Sequence, residues 1–286
     1  MITVLYMVSR LVPRGPIRVL LNILSHLDRS RLRPVICTLS QEDAATMRPE
    51  FEKFDLPIQT LGLSRWEVLV RGGRELRQQV RDVRADIVHT HGIRPDLLAS
   101  RALSGENVLT TIHNYPYEDY VMKFGPILGR AMAWTHLRVF CRRPHVVACS
   151  ASIVDRVREH GVEATVVRNG VATEDYCPAS VDRREMLRRR FGIPPETTAI
   201  VWMGSLIDLK DPVTMLEAFS SLRASHDIKL FLLGDGTLRS ECERRAASWA
   251  DVHVEGHVSN VQEYLQAADL FVSTSTSEGL PNSVVE

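Results

Sequence analysis

Residues 199–236 read AIVWMGSLIDLKDPVTMLEAFSSLRASHDIKLFLLGDG. An apolar run, Ala199–Met203, has the length of a buried strand. An amphipathic stretch, Pro212–Leu222, has the spacing of a helix, and Lys229–Gly234 is apolar again. Strand, helix, strand in this order favours a parallel sheet covered by helices. The same alternation runs outward in both directions. Toward the N-terminus, strands are expected at Ile2–Val8, Pro34–Leu39, Asp86–His91, Val108–His113, His145–Cys149 and Ala164–Arg168. Toward the C-terminus they are expected at Val252–Gly256 and Asp269–Ser273. Amphipathic helices are expected at Ile17–Leu27, Val68–Val83, Val121–Phe140 and Val261–Ala267.

With 286 residues, 44% hydrophobic and 24% charged, the chain has room for two α/β domains of ordinary size. No uncharged apolar run approaches the roughly 18 residues of a spanning helix. The N-terminal MITVLYMVSRLVP lacks a basic leader and a small-residue cleavage site, so no signal peptide is expected. The five cysteines, Cys37, Cys141, Cys149, Cys177 and Cys242, form no CxxC and read as buried thiols of a cytoplasmic protein. The net charge is zero, but residues 1–170 hold 24 basic against 17 acidic residues and residues 171–286 hold 11 against 18. With the polar stretch NGVATEDYCPA at 169–179, this places a boundary near residue 170.

Ligands of such sheets sit beyond the C-terminal ends of the strands, so the strand ends are the places to look for chemistry. There is no GxxxxGK[ST] phosphate loop, and Gly234-Asp235-Gly236 lacks the third glycine of a dinucleotide fingerprint, Arg239 standing there. His89 and His91 end one strand on the same face. With His113 they are the seed of a metal-hydrolase alternative. A Ser/Thr loop from Asp269 leads to Glu278, a glycine turn, Pro281 at the first turn of a helix, and Glu286. Free N–H groups in that turn suit an anion, and the two carboxylates suit sugar hydroxyls. Lys210, after the Gly204 strand end and before a helix, can neutralise a phosphate.

Together, VVRNGV, WMGSLIDLKDP, LFLLGDGTLR and VEGHVSNVQEYLQAADLFVSTSTSEGLPNSVVE resemble the retaining nucleotide-sugar glycosyltransferases of family 4. Glu278 and Glu286, seven residues between them, match that family's E-x7-E signature. The resemblance implies the GT-B fold, an α/β pair of doubly wound Rossmann-like domains with a cleft between them. Residues 1–170 would be the acceptor side and 171–286 the donor domain. It implies that Glu286 holds the ribose and that Lys210 contacts the diphosphate. Glu278 would hold the transferred sugar with the backbone of Gly279, Leu280, Pro281 and Asn282. His257 and Val258 would lie near the base. Many relatives carry an arginine after the glycine of the Gly204 loop, where this chain has Ser205. Gly15, in VPRGPIR, resembles the loop that closes over the donor, and His113, in TTIHNYP, the histidine that touches the donor sugar. No metal is implied.

The expected reaction is sugar transfer from a donor, probably UDP-linked in this family, to a polysaccharide or lipid-linked acceptor. Residues 121–149 carry Lys123, Arg130, Arg138, Arg142 and Arg143, no acid, and large apolar residues, a composition that can dock on an anionic leaflet at the inner face of the membrane. No basic stripe interleaved with stacking aromatics suggests a nucleic acid. The alternatives are a nucleotide-sugar epimerase and a relative that only binds nucleotide. The latter is motivated by the stop at Glu286, about one turn into a helix that relatives continue. On that ground a C-terminally truncated second domain and reduced activity are expected.

Overall fold

A computed structural model describes residues 1–44, 46–103 and 107–286, apart from the Arg65 side chain. The chain forms two compact units, Met1–Gly170 and Val171–Glu286. The first contains β1 (Ile2–Val8), α1 (Gly15–Ser25), β2 (Leu32–Thr38), α2 (Arg48–Glu52), β3 (Ile58–Thr60), α3 (Arg65–Val70), α4 (Gly72–Val83) and β4 (Ile87–His91). It continues through α5 (Ile93–Ala102), β5 (Val108–Ile112), α6 (Pro116–Phe124), α7 (Pro126–Phe140), β6 (His145–Ala148), α8 (Ala151–Arg158) and β7 (Thr165–Val166). The second unit contains α9 (Val181–Arg190), β8 (Thr198–Met203), α10 (Pro212–Leu222), β9 (Ile228–Leu233), α11 (Arg239–Ala246), β10 (Val252–Gly256), α12 (Val261–Ala267), β11 (Leu270–Phe271) and α13 (Asn282–Val285).

Each unit is built on a parallel sheet. The orders are β3-β2-β1-β4-β5-β6-β7 and β10-β9-β8-β11. In both, the order reverses beside the first strand, between β1 and β4 and between β8 and β11. The loops leaving those strands diverge there and open a crevice. Side-chain alternation divides the apolar residues between the two faces. From β1, Leu5 and Met7 pack with Leu76 of α4 and with Leu98 and Ala99 of α5. Val4, Tyr6 and Val8 pack with Ile17, Leu20 and Leu24 of α1 and Phe51 of α2. In the second sheet, Ile200, Trp202, Leu230 and Leu232 meet α10 and α11 through Met215, Phe219 and Cys242. Ala199, Val201, Phe231 and Leu233 meet α9 and α12 through Leu187 and Tyr264. Burial on both faces is why these strands read as unbroken apolar runs.

Several expected elements differ. The stretch read as one helix over Val121–Phe140 is two, because Gly125 turns at φ 79° and Pro126 starts a new helix. The helix expected over Val68–Val83 is likewise divided at Arg71 into α3 and α4. The last two expected strands shrink to Thr165–Val166 and Leu270–Phe271. Cys141 and Cys177 are exposed rather than buried. Among the described residues, no helix is long and apolar enough to cross a membrane.

Candidate functional site

In the second unit the strand ends are held by backbone contacts. Gly204 N–H donates to Leu233 O at 3.0 Å, Leu206 N–H to Asp235 O at 3.0 Å, and Gly234 N–H to Gly256 O at 2.7 Å. The loops after β8, β9 and β10 are therefore tied side by side. Asp211 adopts a left-handed conformation and caps α10, accepting from Thr214 N–H at 3.1 Å. This turn sets Lys210 immediately before the helix.

The loop after β11 is fastened to the same turn. Thr276 N–H donates to Leu209 O at 3.0 Å, and the Thr274 hydroxyl lies 2.6 Å from Asp211 O while accepting from Trp202 Nε1 at 3.0 Å. The outcome is an ion pair between Lys210 Nζ and Glu278 Oε1, both largely buried. Two expected site residues 68 positions apart thus meet at the switch point between β8 and β11. Ser205 and His257 are exposed, whereas Val258 packs against the α9 and α12 face of the sheet. Gly279, Leu280, Pro281, Asn282 and Glu286 are half-buried, and α13 is a single turn, Glu286 N–H donating to Asn282 O at 2.8 Å. Trp202 and Thr274, which fix the two loops, had no signal in the sequence beyond their place beside WMGS and STST.

In the first unit, Gly15 opens α1 beside Pro16, with open space where a side chain would be. His113 follows β5. Its Nε2 shares a hydrogen bond with His91 Nδ1 at 3.0 Å, and His89 Nε2 shares one with Thr111 Oγ1 at 2.7 Å. These nitrogens are turned to neighbours rather than to a common ion position. Among the described residues, no three His, Cys, Asp or Glu side chains are grouped to hold a metal. The expectation that His89 and His91 share a face holds, and both are buried. Beneath them Asp96, 1% exposed, accepts from the Thr90 hydroxyl and shares a 2.8 Å bond with His136 Nε2. His136 Nδ1 lies 2.7 Å from the Tyr120 hydroxyl. Since an ionised Asp96 can only accept, His136 carries its proton on Nε2 and accepts from Tyr120. The sequence reading missed this chain, whose members are scattered over three helices and a strand.

Burial lowers His89 to about 3, aided by His113, and lowers His113 to about 4 against an opposing pull from Asp96. Burial, with the neighbouring histidines, also holds His91 well below the ordinary imidazole value. In the unfolded chain these groups titrate near about 6.5. The unfolded state therefore binds more protons below that pH, and stability is complete above it and lost as pH falls toward about 4 and 3. The urea midpoint of the first unit should be lower at pH 5 than at pH 7.5. His89→Gln, which can keep the Thr111 bond, should shrink the difference. An unchanged pH dependence in that variant would contradict this assignment.

Comparison with known proteins places this geometry in a class. The structure of Anabaena HepE in complex with UDP and glucose superposes with a TM-score of 0.78 at 16% identity, covering 100% of this chain and 77% of that one. The fold is that of the GT-B glycosyltransferases, α/β with two parallel-sheet domains. The family model for Glycosyltransferase Family 4 matches residues 13–175, and the model for Glycosyl transferases group 1 matches residues 197–286. The chain belongs to Glycosyltransferase Family 4. Among curated relatives, the Bacillus subtilis (strain 168) protein named as a teichuronic acid biosynthesis glycosyltransferase, TuaC, is 27% identical over 212 residues, 72% of this chain and 51% of its own length. The Escherichia coli UDP-Gal:alpha-D-GlcNAc-diphosphoundecaprenol alpha-1,3-galactosyltransferase is 23% identical over 219 residues, 70% of this chain and 54% of its own. The chain thus spans about half the length of these relatives.

Proposed function

We propose that the protein transfers a sugar from a uridine diphosphate sugar to a lipid-linked or polysaccharide acceptor with retention of anomeric configuration. The observation that carries this reading is the Lys210–Glu278 pair at the switch point of the second sheet. A diphosphate entering there would replace Glu278 as the partner of Lys210. The freed carboxylate, with the N–H groups of Gly279, Leu280 and Asn282, would take the sugar hydroxyls. Pro281, which has no N–H, would shape that turn. Glu286 is assigned the ribose, His257 and Val258 the base, and Gly204 and Ser205 the phosphates. Gly15 and His113 are the residues of the first unit assigned to the donor.

When the bond from anomeric carbon to diphosphate oxygen breaks, its electron pair stays on the leaving diphosphate. Lys210 is positioned to stabilise that growing charge without a metal in the step. The acceptor hydroxyl would form the new bond on the face the diphosphate leaves, passing its proton to the departing phosphate. The E. coli relative's name, with its UDP-sugar donor and diphosphoundecaprenol acceptor, supports both substrate classes. HepE, with UDP and glucose bound, supports uridine. A lipid-linked acceptor would bring residues 121–149 against the inner face of the membrane, with exposed Phe124, Ile127, Leu128 and Trp134 as the contact.

Calorimetric titration with UDP, GDP and ADP tests the donor site. UDP alone should bind, and Lys210→Ala should weaken it by at least about tenfold, the loss of one charge-assisted contact. Binding that is indifferent to the base would remove uridine from the proposal, and binding unaffected by Lys210→Ala would remove the site.

A further inference from the structure

The α7 helix presents two different surfaces. Gly129, Ala133, His136, Leu137 and Phe140 are buried against the unit, and the opposite side is in solvent. Ile127, Arg130, Trp134 and Arg138 fall on one stripe of that open side, at spacings of three to seven residues, with Arg142 just past the helix end. Ile127 is 88% exposed and Trp134 55%. The other basic residues of the segment do not share this surface. Lys123 is neutralised by Asp119 at 2.7 Å, and Arg143 is buried.

Beside the stripe, the second halves of α5 and α7 bound a groove of about 540 Å³. That is within the range of about 300–1,000 Å³ typical of small-molecule sites. Arg101, Arg138 and Arg142 line it, with Trp134, Leu97 and Ser100. None of its lining residues is acidic, and none of the three arginines has a carboxylate partner among the described residues. Arg138 stacks over Trp134 at 5.1 Å from the ring centroid, which directs its guanidinium across the groove mouth. Three unneutralised guanidinium groups around one hollow carry a standing electrostatic cost that an anion relieves, and their fork geometry matches phosphate oxygens. The groove is also remote from His113. The α5 helix starts at the C-terminal end of β4, so its second half reaches toward the opposite end of the sheet.

We propose that this groove binds the phosphate of an anionic phospholipid headgroup, with Trp134 and Ile127 entering the adjacent interface. The choice of a lipid over a soluble phosphate rests on the membrane contact proposed above, because the apolar residues share the stripe with the arginines. The bilayer is the occupant that satisfies both at once.

Vesicle flotation at low salt tests this, comparing pure phosphatidylcholine with vesicles holding about 30 mol % phosphatidylglycerol. The protein should prefer the anionic vesicles, and the preference should fade as salt rises. Arg138→Gln/Arg142→Gln should lower partition onto anionic vesicles about tenfold, while Arg168→Gln/Arg189→Gln, removing equal charge elsewhere, should change it less than about twofold. Ile127→Ser/Leu128→Ser should weaken binding to both vesicles alike. Equal losses in the two arginine pairs, or none in the first, would overturn the groove while leaving the surface contact standing. Absence of binding to either vesicle would remove the contact as well. Binding of glycerol phosphate in solution without vesicle binding would overturn the lipid assignment.

Discussion

Replacing Gly234 by alanine should unfold the second unit at urea concentrations that leave the first intact. Gly234 has φ 141°, a conformation that side chains rarely adopt. A Cβ there would overlap the carbonyl oxygen of Gly204 and lie 2.9 Å from its carbon. Both are backbone atoms, and the Gly204 strand end is fixed by its own bond to Leu233 O at 3.0 Å. No flexible neighbour can yield, so the β8 and β9 ends must separate. Backbone strain and lost packing together put the cost at about 4 kcal/mol or more. Trp202, buried in this unit, gives the fluorescence readout. Separating the loops would also move Lys210, so UDP binding should go with the fold. Wild-type stability in the variant would show that the loops are not in close contact.

The second large effect is expected at Arg188. Its guanidinium is buried and donates to Thr197 O at 2.6 Å, Pro194 O at 2.9 Å, Ala267 O at 3.2 Å and Asp269 Oδ2 at 2.9 Å. One side chain thereby ties α9 to the start of β8 and to the end of α12. Arg188→Ala leaves those carbonyls without a donor and Asp269 with less positive charge, a loss of about 3–5 kcal/mol. Arg188→Lys keeps the charge but not the fork, and should recover only part of it. Arg189→Ala, at the exposed next position, should cost less than about 0.5 kcal/mol. Urea unfolding of the three variants should separate them in that order, and equal midpoints for Arg188→Ala and Arg189→Ala would refute the account.

Arg188 also shows where reading the sequence stops. The run VDRREMLRRR has little apolar character, and nothing in it distinguishes the arginine that will be buried from its neighbours. Only the carbonyls brought near by the fold make that distinction. The strands were legible because burial on both faces leaves an unbroken apolar run, as in LFLLG and IVWMG. The break between α6 and α7 had its signal in Gly125-Pro126, overridden by the apolar pattern on either side. At the candidate site, the residue types at Lys210 and Glu278 could be read from motifs. Their pairing could not, since 68 residues and a sheet crossing separate them. The Asp96–His136–Tyr120 chain carries no motif, because its order is imposed by the packing of α5, α6 and α7.

The order of the first sheet has a consequence for how the chain folds as it is synthesised. The β1 strand pairs with β2 on one side, a neighbour that emerges within about 40 residues, but its other edge waits for Ile87–Met7 register partners in β4. Throughout that interval Val4 to Met7 present an unpaired parallel edge, apolar on both faces. Such an edge invites pairing with a second nascent copy. The intervening α3 and α4 are rich in arginine, and the like charge they carry keeps neighbouring copies apart while the edge is open.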